Sequence, residues 1–238
     1  MPTITYAALC RSLSRERLAA YSLDTDQDST DAVARYQWNL ALAAALGPGL
    51  HFVEIALRNA LYLTGQQTTA GRIQGYRQVR CWLDAVPSFL EAAEQRAVQD
   101  AILRLGVQRR RTPGHLVGQL GFGFWVRLCN RPYEHGRPSG PGLWPAAVRH
   151  FPGCPRKQRT RHDIYTALAG VRDLRNQIAH HQPVWDRDPV ALNERVLEVL
   201  GWMNPSLGSA VRNRSLVEPV FAAGLAAYRT PTQRDLGF

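Results

Sequence analysis

Apolar residues recur every three to four positions over most of the chain and alternate with period two in few places, so the pattern predicts helices. The first runs from Ile4 to Tyr21, with Tyr6, Leu9, Leu13 and Leu18 spaced for burial. The polar run Asp24 to Asp31 reads as a loop, and Asp28 or Ser29 is placed to cap a second helix reaching Leu46. Gly47-Pro48-Gly49 predicts a tight break. A third helix, from about Leu50 to Thr64, puts Phe52, Ile55, Ala56, Asn59 and Leu63 on one stripe. Gln66 to Arg80 is polar and reads as loop, and a helix follows from Pro87 to about Leu105. Thr112-Pro113 has the form of an N-cap with proline at the first helical position, and the helix it opens includes Gly121-Phe122-Gly123-Phe124-Trp125. Asn130 to Pro155 is dense in Pro and Gly and reads as irregular, with one short helix around Leu143 to His150. Thr160, with Asp163 three residues on, forms a capping box for the next helix. Asp188-Pro189 and Asn204-Pro205 open two more, and Ser215 to Ala227 a last one. The expected class is all-α. At 238 residues the chain could form one large domain or two small ones.

Val171 to Trp185 reads as the last turns of a helix that ends in two adjacent histidines and is stopped by Pro183. At about 100° per residue, Ile164, Leu168, Val171, Leu174 and Ile178 make one apolar stripe, and Arg175 falls inside it. A guanidinium on a core-facing stripe is costly unless it is paired or opens into a polar pocket. His180 projects about 140° from Arg175, away from the core, and His181 lies on the other flank. Histidines at a helix end also suit the negative pole of the helix dipole, so a purely structural role stands beside a functional one.

Charge adds a partner. The formal net charge is +10, which favours an anionic partner, nucleic acid first. Lys157 is the only lysine, so the excess also fits a coding bias towards arginine. Arg109-Arg110-Arg111 is either a solvated loop or a phosphate-contacting patch. Arg156, Lys157, Arg159 and Arg161, beside the Thr160 cap, either line an RNA groove or offset acidic surface. The four cysteines, at 10, 81, 129 and 154, show no paired spacing and fit reduced thiols. His150, Cys154 and His162 are too loosely spaced for a metal cage, and neither metal nor cofactor is expected. The N-terminus has no basic segment followed by an apolar core. Trp38 to Val53, the longest uncharged apolar stretch, reads as too short for a bilayer and as interrupted at Gly47-Pro48-Gly49. A soluble, cytoplasmic protein with no membrane partner is expected.

Arg175-Asn176, three residues, then His180 resembles the HEPN signature, an Arg followed four to six residues later by a His. The longer string Leu174-Arg175-Asn176, Ala179-His180-His181 and Trp185 is similar to the abortive-infection (Abi-like) branch of that superfamily. Glu54-x-x-Leu57-Arg58-Asn59-Ala60 resembles the N-terminal motif of that branch, and Gly-Phe-Trp at 123 to 125 resembles its mid-chain pattern. The likeness covers roughly residues 10 to 190. It implies a single HEPN-like helical domain over the 238 residues, a bundle with additional N- and C-terminal helices. It also implies a homodimer with two motifs facing each other, RNA as substrate, and a neutralising antitoxin protein or RNA for a toxin.

The chemistry implied is metal-independent RNA cleavage in phage defence or as a toxin. His180 would be the general acid or base, since histidine alone has an unperturbed pKa near neutrality. Arg175 would clamp phosphate through its planar, permanently charged fork. Asn176 would orient substrate or the histidine, and His181 is either a second proton-transfer group or a structural cap. Glu54 and Arg58, four apart, read as a solvated ion pair, or with Asn59 as supports for the catalytic helix or phosphate contacts. Two other readings stand beside this one: a non-catalytic RNA-binding or regulatory HEPN module, and a plain helical interaction protein.

Overall fold

A computed structural model describes residues 6–23, 30–106, 112–136, 140–144 and 146–229. Helices dominate them: α1 Tyr6–Leu13, α2 Arg15–Ala19, α3 Thr30–Thr68, α4 Ala92–Arg104, α5 Pro113–Gln119, α6 Phe122–Arg127, α7 Arg161–Ala179, α8 Pro189–Met203, α9 Pro205–Arg212 and α10 Val217–Ala223. The described strands are β1 (Gly75–Tyr76) and β2 (Ala85–Val86), antiparallel, with Gly75 opposite Val86 and Tyr76 opposite Ala85. The all-α class is what the chain adopts. The small ribbon takes up part of the expected Gln66 to Arg80 loop.

The largest departure from the expected pattern is α3. The break expected at Gly47-Pro48-Gly49 does not form, and one 39-residue helix carries Pro48 inside it. A proline interrupts a helix partly by crowding the Cβ of the residue before it, and Gly47 has none. The apolar stripe also runs through the site, since Leu42, Leu46, Leu50, Val53, Leu57 and Leu61 are all buried. Burying that stripe supplies what the lost backbone bond removes. The inward face is therefore not the expected one. Phe52 and Leu63 are exposed, as is Asn59, and Ile55 and Ala56 are half-buried. By length and composition the unbroken α3 could cross a membrane, a test that core helices of soluble proteins also pass, so the expected interruption at Gly47-Pro48-Gly49 does not count against it. About a third of its most apolar 18-residue window is buried within the protein.

Other boundaries differ for local reasons. The first helix divides at Ser14, where φ is +72° and the side chain accepts from the Arg17 amide at 3.4 Å. α4 starts at Ala92 and not Pro87, because the Glu91 amide donates to the Tyr133 hydroxyl, 3.0 Å away. The Thr112 cap forms as expected, with reciprocal bonds to His115. Its helix then ends at Leu120, whose carbonyl accepts from the Trp125 indole at 3.1 Å, and Gly121 begins α6 afresh. The expected short helix before Phe151 is a 3-10 turn, Ala146–His150. α8 and α9 begin where Asp188-Pro189 and Asn204-Pro205 place them, each capped by the residue before the proline. Asp28, Ser29 and the tail from Thr230 lie outside the described residues.

The chain divides into two compact units. The first takes the chain up to Leu50, then Leu174–Val196, and the stretch from Val211. Its core holds Leu18, Tyr21, Leu42, Leu46, Val184 and Val217, with the Trp38 ring stacked on Phe221 at 5.7 Å. The second takes His51–Asp173 and Leu197–Ala210 around Leu57, Ile102, Phe122, Trp125, Phe151 and Ile164. A buried carboxylate, Glu94, accepts from Arg127 at 2.6 Å and from the Tyr133 hydroxyl at 2.9 Å, tying α4 to α6 and to the 131–133 turn. Both lone-pair sets of this carboxylate are answered, which is what makes its burial tolerable.

Candidate functional site

Helix α7 carries the candidate residues, and its two ends are built differently. At the start, Thr160 Oγ accepts from the Asp163 amide at 3.1 Å and donates to the Asp163 carboxylate at 2.7 Å. The expected cap is present, although the acidic side chain turns to the hydroxyl. Ile164, Leu168, Val171 and Leu174 are buried as the periodicity predicted, and Ile178 at the end is half-buried.

The helix closes two residues earlier than expected, at Ala179 and before both histidines. His180 donates its amide to the Asn176 carbonyl, His181 to Ile178 and Gln182 back to Gln177, each at 2.9 Å. This is a Schellman closure, the six-to-one bond bracketing a shorter one, and it requires a left-handed residue at the position His181 occupies. His181 has φ +56° accordingly. Glycine is the usual occupant there; histidine is among the few other residues enriched in that region. The His181 carbonyl accepts from Arg17 at 3.4 Å. His181 thus has a structural role in the turn, while His180 is exposed at the tip.

Asn176 and His180 are four residues apart and share a face of α7. Arg175, half-buried, lies about 140° around the helix from His180. By helical spacing one chain therefore places Asn176 and His180 on one side and Arg175 on another. Arg175, Asn176, His180 and His181 all belong to the first compact unit.

The segment leaving the histidines is fastened twice. From α7, Gln177 Nε2 donates to the Pro183 carbonyl at 2.6 Å, and Gln177 Oε1 accepts from Arg187 at 3.2 Å. From α3, Asn39 Oδ1 accepts from the amides of Val184 at 2.7 Å and Trp185 at 3.2 Å, while Nδ2 donates to the Tyr21 hydroxyl at 3.1 Å. Asn39 is 3 % exposed. Arg35 lies over the Trp185 ring, 5.7 Å from its centre, and donates to the Tyr21 carbonyl at 2.9 Å. Burial pushes the Tyr21 hydroxyl up to about 12, so it stays protonated through the neutral range. Sequence reasoning missed Asn39, Arg35 and Tyr21. The available signal was a polar residue at 39 on the face of Leu42 and Leu46, where an apolar one would pack.

The remaining candidates are placed as follows. Glu54 and Arg58 are half-buried in α3 and Asn59 is exposed, all in the second unit. Arg58 Nε is buried without a hydrogen-bond partner. Arg109, Arg110 and Arg111 lie outside the described residues. Arg156 and Lys157 are exposed ahead of α7. Arg159 is turned inward to the carbonyls of Pro152 and Cys154, at 2.6 to 3.0 Å. Arg161 pairs with Glu134 at 3.0 Å and donates to the Cys129 carbonyl at 3.2 Å. These two arginines close a loop. Among the described residues no three His, Cys, Asp or Glu side chains gather into a metal-holding group. The four cysteines are unpaired, and burial pushes the thiols of Cys81 and Cys129 up to about 11 and about 12. Compared with family models, curated proteins and solved structures, the chain shows no match.

Proposed function

We propose that the chain is a metal-independent endoribonuclease of the HEPN type, acting in the cytoplasm in phage defence or as a toxin. The observation that carries the reading is the end of α7, where an exposed His180 follows a half-buried Arg175 by five positions and Asn176 by four. RNA is cut without metal when its 2′-hydroxyl loses a proton and attacks the neighbouring phosphorus, with the 5′-oxygen leaving. His180 moves a proton in that exchange, Asn176 orients the imidazole or the substrate, and Arg175 holds the non-bridging oxygens as charge builds. A single chain points Arg175 and His180 to different sides, so the active form is a homodimer in which each copy completes the other's cleft. A toxin of this kind also has a neutralising antitoxin, protein or RNA.

The test uses purified protein and RNA in excess chelator. Cleavage should persist, leave 2′,3′-cyclic phosphate ends, and vanish in Arg175→Ala; expression should arrest the host and Arg175→Ala relieve the arrest. Dependence on added magnesium would overturn the mechanism. The 140° between Arg175 and His180 also favours a second reading, a HEPN module that binds RNA phosphates without cutting. Tight, salt-sensitive RNA binding with intact RNA recovered would select it.

A further inference from the structure

We propose that Asn39, 141 positions before His180 in the chain, is the residue that positions the His180 imidazole. The inference deepens the reading of the α7 end as the working site and rests on it.

Three observations lead there. His181 holds a left-handed backbone, a conformation that an unrestrained chain would leave. The Schellman bonds hold it from within α7, and the segment beyond holds it from outside, where the amides of Val184 and Trp185 both end on one acceptor, Asn39 Oδ1. Val184 is fully buried, so bulk water does not reach its amide to replace that acceptor. The orientation of the Asn39 amide is itself fixed: two N–H groups demand oxygen on one side, and the Tyr21 hydroxyl accepts from nitrogen on the other. Tyr21 in turn is 1 % exposed, with its carbonyl held by Arg35. The path from α3 to His180 is therefore a rigid amide, two backbone bonds, and the short span 181–183, which is also tethered by Gln177 on the Pro183 carbonyl, by the Schellman bonds and by Arg17 on the His181 carbonyl. Within α7, Asn176 can orient the imidazole only while the final turn holds its shape. Asn39 does not approach substrate; it keeps the tip on which His180 stands from unwinding.

The experiment compares Asn39→Leu, Asn39→Asp and Tyr21→Phe in the full chain. Leucine keeps the volume and removes the acceptor. Aspartate keeps an acceptor for both amides, and the Tyr21 hydroxyl can turn to donate to it. In folded Asn39→Leu, the Val184 and Trp185 amides should lose protection from hydrogen exchange, and the His180 imidazole resonances should shift or broaden. Cleavage should then show kcat lower by roughly tenfold or more, with KM changed by less than about threefold, since Arg175 still binds phosphate. Asn39→Asp should recover most of both. Tyr21→Phe, a milder change that keeps the core filled, should fall between, and it serves if Asn39→Leu does not fold. A general loss of stability would lower the melting temperature without splitting kcat from KM. Unchanged His180 resonances in a folded variant with unprotected 184 and 185 amides would overturn the inference. The ribonuclease reading fails separately, if the wild-type protein leaves RNA intact while these exchange and resonance changes appear.

Discussion

Leu57-Arg58-Asn59 in α3 and Leu174-Arg175-Asn176 in α7 present the same three side chains in the same helical order. In both, the leucine turns inward, 0 % and 6 % exposed, and the arginine is half-buried on the flank. They diverge five residues after the arginine. In α3 that position is Leu63, 46 % exposed on a helix that continues to Thr68. In α7 it is His180, just past the last helical residue. The tripeptide sets which way the chain faces; the helix end makes a place where a side chain can meet a ligand. The two prolines show why only one helix stops. Pro48 follows Gly47, which has no Cβ to clash, and α3 runs through it. Pro183 follows Gln182, which has one, and the chain has already reversed at His181.

The largest expected effect tests whether the helix end matters. His180→Ala should cut RNA cleavage by roughly a hundredfold or more, the usual loss when a general acid or base is removed. Adding Leu63→His to that variant should restore nothing, because an imidazole on the middle of α3 has the spacing of the motif without its setting. Recovery of cleavage in the double variant, assayed on the same RNA in chelator, would show that spacing alone suffices.

The sequence carries the helical class and the boundaries at Thr112, Thr160, Asp188 and Asn204, because each is written in local chemistry: a side chain that accepts from an amide two or three residues on. It carries the α7 stripe for the same reason, periodicity being local. It misleads at Pro48, where burial of Leu42, Leu46, Leu50 and Val53 before and after it outweighs a local breaker, and at Phe52 and Leu63, where two apolar stripes compete and only tertiary packing chooses between them. Asn39 is beyond reach because its partners, Tyr21 and the 184–185 amides, lie 18 and about 145 residues away. Arg159 and Arg161 read from charge either as an RNA groove or as an offset to acidic surface, and charge does not tell that loop carbonyls and Glu134 hold them.

A smaller effect tests the shared half of the comparison. Leu57→Ala and Leu174→Ala should each destabilise the fold by about 2–5 kcal/mol, the range for emptying a packed leucine site. Leu57 should cost the more, being 0 % exposed in the middle of a helix, whereas Leu174 is 6 % exposed and near an end that can relax into the gap. Urea unfolding measures both. Equal, negligible losses would mean that the two leucines do not anchor their helices.

The smallest expected effect separates the two histidines. Because φ is +56° at residue 181, any side chain with a Cβ is strained there, and glycine relieves it. Glycine also loosens the unfolded chain, which offsets part of the gain. His181→Gly should therefore raise stability by up to about 1 kcal/mol, while His181→Ala, which keeps the strain, should leave it unchanged or slightly lower. Both should still cut RNA within a few-fold of wild type, since His180 and its Asn176 neighbour are untouched. The pairing of readouts decides the matter. A His181→Gly protein that melts higher and cuts normally assigns residue 181 to the turn. One that melts higher and no longer cuts assigns the proton transfer to His181, because the turn would then be intact and only the imidazole missing. In that case the Schellman closure would serve to aim His181, and the exposed His180 would be the bystander.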